Sequence, residues 1–317
     1  MTRLQRLAVS TFAVTVLLVA IGAFTRGSGS GFGCADRWPL CEDGLAGGFL
    51  PRPEFHMVVE WTHRLFANLA GLLLLVTAGT VWRRHRDDRV LRRLVVAGLV
   101  AFAAQALLGA AVVKTGLADR LVSVHLGLAM VVLALLAVIT VETFFAGGSH
   151  PPVGDAADPS WRRWLAAGAA AVYTVILLGT AVHDRYVGGY PLVDDRLIPD
   201  LSDPTVALHL GHRVAVAVTA LLLGWLAVQV VRRQRRRAEA ALVHAALAAF
   251  VVNVLLGAAH VFTQVRSTGL VVAHLLVASL AWSGIIAAAA LAHRADRRAR
   301  RPEADARTTS ATVEAPA

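Results

Sequence analysis

His63, His125, His212 and His274 recur at a fixed interval: His212 follows His63 by 149 residues, and His274 follows His125 by the same 149. Each lies a few residues inside an apolar stretch long enough to span a bilayer, where an ionisable side chain is costly and so marks a functional site. A heme iron takes one imidazole on each face of the macrocycle. Two facing helices that each supply one histidine at equal depth match that chemistry, and the expected pairs are His63 with His125 and His212 with His274. One such histidine alone would read as a buried imidazole satisfied by a nearby hydroxyl; a duplicated set of four favours two heme sites.

Two features break the repeat, and reactivity is expected there. Glu60 precedes His63 by three positions and shares its helix face, but the equivalent residue in the second half is His209. A carboxyl group in a low-dielectric pocket can exchange protons with a reacting substrate, which makes Glu60 the candidate catalytic residue; the plainer alternative is a structural partner for a neighbouring Arg or Trp. Cys34 and Cys41, the only two cysteines, lie in the loop after the first apolar segment. If that loop faces an oxidising compartment, the pair is expected to form a disulfide.

The elements that must position these residues follow from composition. Hydrophobic residues make up 56% of the chain and charged residues 16%, with a mean hydropathy of +0.61, which is too apolar for a soluble core. Eight segments approach the roughly 20 residues needed to cross a membrane: 8–24, 57–81, 94–113, 121–145, 164–182, 206–231, 240–261 and 270–291. The net charge of +10 is concentrated in arginine runs at alternate segment ends, without interleaved aromatics, so the runs read as topology signals rather than nucleic-acid contacts. Both termini are then expected on the cytoplasmic side. Met1 to Arg6 before an apolar run also resembles a secretory signal. However, Gly22 to Gly31 has a looser counterpart in Gly179 to Gly189, which argues for a retained first helix.

The repeat is clearest where Leu107-Leu-Gly-Ala-Ala111 recurs as Leu255-Leu-Gly-Ala-Ala259, and His63-Arg64 as His212-Arg213. Four helices per half is an even number, so the halves share an orientation, and an axis along the membrane normal is expected to relate them. The expected fold is all-α: eight transmembrane helices in two tandem four-helix bundles with pseudo-twofold symmetry. The expected halves are 1–150 and 151–293, followed by a disordered tail over 294–317. The histidines should lie one to two turns, about 6 to 10 Å, inside helices two, four, six and eight. Arg26, Arg64, Lys114, Arg120, Arg213 and Arg266 fall near the same helix ends. They could meet heme propionates or snorkel to lipid headgroups, and the sequence leaves both open.

The stretch from Gly22 through Cys34 and on to Trp38-Pro-Leu-Cys41, then Glu60-Trp-Thr-His-Arg64, His125, His212-Arg213 and His274, resembles the heme A synthase family. Within it, the cysteine pair is similar to the bacterial branch with a disulfide in this loop. The likeness runs to about Leu291. The loop from His183 to Thr205 departs from some relatives in holding no cysteine pair.

The resemblance implies oxidation of a ring methyl of heme O to a formyl group by successive hydroxylations and loss of water. It implies His212 and His274 as iron ligands of a resident heme b, His63 and His125 flanking the substrate heme, and Glu60 beside the reacting edge. It also implies a Cys34–Cys41 disulfide that takes part in electron or substrate handling. Implied partners are heme O, an electron partner, heme O synthase and terminal oxidase assembly factors, in the cell membrane. Two rivals remain: a di-heme electron carrier of the cytochrome b type, and a transporter with duplicated halves, for which only Gln105 and Asn253 supply polar groups at mid-membrane.

Overall fold

The computed structural model describes residues 1–145, 158–182, 186–190, 192–196 and 198–299, with side chains as far as 294. Its elements are α1 (Arg3–Gly27), α2 (Phe55–Arg84), α3 (Arg89–Lys114), α4 (Asp119–Thr143), α5 (Pro159–Val182), α6 (Pro204–Arg232), α7 (Arg237–Phe262) and α8 (Thr268–Ala299), with a single 3-10 turn at Ala46–Gly48. All eight helices are long and apolar enough to cross a membrane, and each contains one of the eight expected segments or nearly all of it. Helix α8 continues past residue 293, where the sequence suggested a disordered tail. Residues 300–317 and the 150/151 boundary between the halves lie outside the described residues.

Local signals set the helix starts. Thr2 and Gln5 form a reciprocal capping box on α1, which satisfies donors that the first turn leaves open. Asp88 accepts from Leu91 N–H at the start of α3, and Asp203 accepts from Thr205 N–H with Pro204 at the first position of α6. Hydroxyls at Thr11, Thr15, Thr77 and Thr140 inside the apolar helices donate to the backbone four residues earlier, so these donors are not presented to hydrocarbon.

The turns that end α3 and α7 are the same structure. Thr115, Gly116 and Leu117 donate to Ala111, Val113 and Val112, while Thr263, Gln264 and Val265 donate to Ala259, Val261 and His260. Both turns pass through two consecutive left-handed residues, Gly116 and Leu117 in the first and Gln264 and Val265 in the second.

Helices α1 to α4 pack as a ring of neighbours, α1 on α2, α2 on α3, α3 on α4 and α4 on α1; helices α5 to α8 repeat that ring. Across the halves, α1 meets α8, α4 meets α5 and α4 meets α8. This neighbour set maps onto itself when each helix is exchanged for its counterpart in the other half. At the α4–α8 contact Ser279 Oγ lies 3.8 Å from Met130 Sδ, and these two residues are separated by the repeat interval of 149. Trp282 Nε1–H donates to Met130 O at 2.9 Å beside them.

One end of the bundle carries the α1–α2, α3–α4, α5–α6 and α7–α8 loops and is called here the disulfide end; the other is the termini end. Packing is unequal along this axis. The buried core of the first half comprises Leu4, Leu74, Ala78, Val81, Leu91, Val95, Val132, Leu136 and Ile139, all toward the termini end. A larger buried cluster joins the second half to Val16, Val19, Met130 and Leu133 of the first; it begins at Leu223 in α6 and Ala278 in α8 and ends at Phe250 in α7 and Ile176 in α5. Both clusters end before the histidine-bearing turns, where buried residues such as Ala110, Val206, Ala258 and Val271 belong to neither.

Candidate heme-binding site at the disulfide end

His63 and His212 stand eight residues into α2 and α6, and His125 and His274 stand six residues into α4 and α8. That places all four about 9 to 12 Å from their helix starts, slightly deeper than the sequence suggested and at one level. Each imidazole leans on a glycine of the preceding helix. A methyl carbon placed at Gly22 would lie 3.1 Å from Cε1 of His63, and one at Gly109 would lie 3.1 Å from Cε1 of His125. The corresponding distances are 3.4 Å from Gly179 to His212 and 3.3 Å from Gly257 to His274. At Gly22, Gly109 and Gly257 such a carbon would press on the ring, and at Gly179 it would just touch it, so the bare glycine backbone lets each imidazole lie close against the preceding helix. The four seats follow one rule: the odd helix supplies the glycine and the next even helix supplies the histidine.

The Nδ1 atoms of His63, His125 and His212 are buried, with no hydrogen-bond partner in the described structure. A buried nitrogen left unmatched costs free energy, so these rings are not explained as hydroxyl-satisfied core histidines. Imidazoles at similar depth on facing helices form a donor set suited to iron in a porphyrin. The residues present fit that group.

Two further polar residues, unassigned in the sequence reading of the histidines, join the site. Gln105 Nε2–H donates to His125 O at 3.0 Å and lies 3.2 Å from His125 Nε2, tying α3 to α4 at the candidate ligand. His260 meets His274 edge-on, with ring centroids 5.2 Å apart. Gln105 and Asn253 hold matched positions four residues before the seat glycines, a signal that the repeat alone could have revealed. His260 replaces Val112 of the first half and had no such signal.

The first loop is folded around Glu60. Cys34 and Cys41 are disulfide-bonded and buried. Gly33 crosses the start of α2 so closely that a methyl carbon there would lie 2.1 Å from His56 O, and this approach lets Cys34 N–H reach Glu60 Oε2 at 2.7 Å. The other carboxylate oxygen takes Arg64 at 2.5 Å. Arg64 also donates to the carbonyls of Arg37 and Leu40 at 3.0 and 2.8 Å, so Glu60, Arg64 and the disulfide loop form one hydrogen-bonded unit around the buried Cys34 and Cys41. In the second half Arg213 likewise donates to a loop carbonyl, Leu192 O, at 2.6 Å. The arginines that follow His63 and His212 thus each clasp the loop before their helix. Lys114, Arg120 and Arg266 are exposed at the same end, and Arg26 lies in the last turn of α1.

The glycine seats are open to test. Gly257→Val should displace His274 and lower the heme content of the purified protein by roughly tenfold, the scale of a disturbed ligand shell. Gly79→Val, at an α2 position with open space around it, should leave heme content unchanged. Full heme content in Gly257→Val would show that the seat is dispensable.

Comparison with known proteins gives one consistent result. The chain matches the family of cytochrome oxidase assembly proteins, COX15-CtaA, over residues 50–302. It is 31% identical over 287 residues to a heme A synthase from Symbiobacterium thermophilum, covering 86% of this chain and 92% of that one. Similar proteins include the heme A synthases of Alkalihalophilus pseudofirmus, 28% identical over 292 residues (89% of this chain, 95% of that one), and of Geobacillus thermodenitrificans, 28% identical over 270 residues (81% and 82%).

Proposed function

The chain belongs to the COX15-CtaA family of cytochrome oxidase assembly proteins, and on that premise we propose that it is a heme A synthase, a membrane-embedded oxidoreductase that converts heme O to heme A. The observation that carries this reading beyond family membership is the set of four glycine-seated histidines at one level. We read the halves as two bundles about an axis along the membrane normal, as the exchangeable neighbour set and the Met130–Ser279 contact suggest. The arginine runs at the termini end favour a cytoplasmic location for both termini in a cell membrane.

In this reading His63 and His125 hold the substrate heme O in the first half, and His212 and His274 hold heme b in the second. When bound, heme b supplies one-electron redox chemistry that side chains lack. The chain's own residues do the rest. The seats fix imidazole position before the heme arrives, and such preorganisation keeps the reacting edge in one place. Arg64 and Arg213 hold the loops over the disulfide end and exclude water. Lys114, Arg120, Arg266 and Arg26 are placed to meet propionates from that side. Glu60 and Arg64 tie the disulfide loop to the helix that bears His63, so a change at the cysteines reaches the substrate side through these hydrogen bonds. Proton transfer at Glu60 would take place inside this unit. In this reading the ring methyl becomes a formyl group by two successive hydroxylations and loss of one water, a net four-electron oxidation that requires an electron partner outside this chain.

The pigments of the purified protein test the function. Heme b together with heme O or heme A is expected; heme b alone, with no conversion when heme O is supplied, would return the protein to the di-heme carrier class. Cys34→Ala should keep heme b and lower conversion, because the second half builds its own loop without a disulfide. Unchanged heme A output in that variant would remove the cysteines from the reaction.

A further inference from the structure

A groove of about 700 Å³ runs along the α2–α3 face at the termini end, lined by Trp82 and by a single stripe of α3. Its head is Arg89, Arg92 and Arg93, whose spacing puts three guanidinium groups on one side of the first turns. Its body is Val96, Ala97, Val100, Ala101 and Ala104, and the alanines keep the slot open beside the indole of Trp82. From Arg93 to Ala104 the stripe extends about 16 Å, close to half of the roughly 30 Å hydrocarbon core of a bilayer. A slot one leaflet deep with a cationic rim matches a molecule with an anionic head and a long apolar chain.

Among the described residues Arg89, Arg92 and Arg93 form no ion pair, although Asp87 and Asp88 directly precede them: Arg92 donates to Arg86 O, and Asp88 accepts from Leu91 N–H. The basic run at the α6–α7 junction contrasts with this, since Arg233 pairs with Asp158 and Arg235 with Glu239. The repeat does not require the cluster either. The α7 positions equivalent to Arg89, Arg92 and Arg93 are Arg237, Ala240 and Ala241, and Val231 stands in place of Trp82. A topology signal needs only positive charge near the membrane surface; it does not need three arginines converging on a groove in one half.

We propose that this groove is a binding site for an acidic phospholipid of the leaflet at the termini end, with its phosphate held by Arg89, Arg92 and Arg93 and one acyl chain lying along Val96, Val100 and Ala104. Basic pockets between transmembrane helices recognise such headgroups by the same electrostatics.

The test compares wild type with Arg89→Gln/Arg92→Gln/Arg93→Gln and with Ala97→Trp, which plugs the slot and keeps the charges. Each protein is purified in mild detergent, checked for heme b content, and examined by native mass spectrometry with dioleoyl phosphatidylglycerol or dioleoyl phosphatidylcholine added. Wild type should retain one phosphatidylglycerol per chain. The triple variant should retain it on the order of a hundredfold more weakly, since each basic residue near a bilayer surface contributes about a factor of five. Ala97→Trp should also lose it, with heme b intact in both variants. Equal retention of phosphatidylcholine by wild type, unchanged phosphatidylglycerol binding in either variant, or selective loss of heme O instead of lipid would overturn the proposal; the last result would make the groove a substrate port.

Discussion

His212→Ala and His274→Ala are expected to give membrane-inserted proteins that have lost nearly all of their heme b. Each substitution removes one of the two imidazoles that would hold heme b in the proposed assignment, and with it the orientation that imidazole would give the group. Retained heme should fall on the order of tenfold or more, by analogy with disturbed metal shells. The fold should survive, because the fully buried second-half core begins at Leu223 in α6 and Ala278 in α8, beyond both histidines. His63→Ala and His125→Ala should show the reciprocal pattern, with heme b present and no heme A formed. Pyridine hemochrome spectra of the four variants decide the matter. Heme b lost from the first-half variants and kept in the second-half ones would reverse the assignment of the halves.

Glu60→Gln should abolish most of the conversion of heme O while leaving heme b in place. The substitution keeps the size of the side chain and removes its charge, so Arg64 loses an ion pair at 2.5 Å and the Cys34 N–H loses a charged acceptor at 2.7 Å. Breaking one partner of a buried pair costs about 3 to 5 kcal/mol, toward the lower end here because the Arg64 side chain is 11% exposed. Thermal stability should therefore fall together with activity. If Glu60 also moves a proton, conversion should drop by about 10² to 10⁴, well beyond the loss in Cys34→Ala. If it acts only by holding the loop, Glu60→Gln combined with Cys34→Ala should be no worse than Glu60→Gln alone, since residues in one network are not additive. Wild-type turnover in Glu60→Gln would leave the residue with neither role.

The disulfide loop illustrates how far local reading reaches. Two cysteines seven residues apart and a carboxylate present in one repeat only were legible as separate oddities. Their union was not, because it depends on Gly33 passing against His56 at the start of α2. The family resemblance implies a place for Glu60 beside the reacting edge, and the plainer reading makes it a partner of a neighbouring arginine. In the structure its carboxylate accepts from Cys34 N–H and pairs with Arg64, contacts that join helix and loop. Arg64 and Arg213 were legible as cations near the histidines, and packing directs both of them to loop carbonyls.

By itself the sequence determined the eight spans, their alternation and the equal depth of the four histidines. Length, hydropathy and rise per residue are local properties, and a duplicated chain displays its own register. The seat glycines also stood in plain view, Gly22 and Gly179 opening one repeated passage and Gly109 and Gly257 inside another. Only the tertiary structure decided what they do. Which face of an apolar helix meets which neighbour is set by side-chain packing across helices, and a span that is hydrophobic all round carries little periodic signal of its partner. The pairing of each histidine with a glycine, the clasp of each loop by an arginine and the exposed groove beside Arg89, Arg92 and Arg93 all belong to that level.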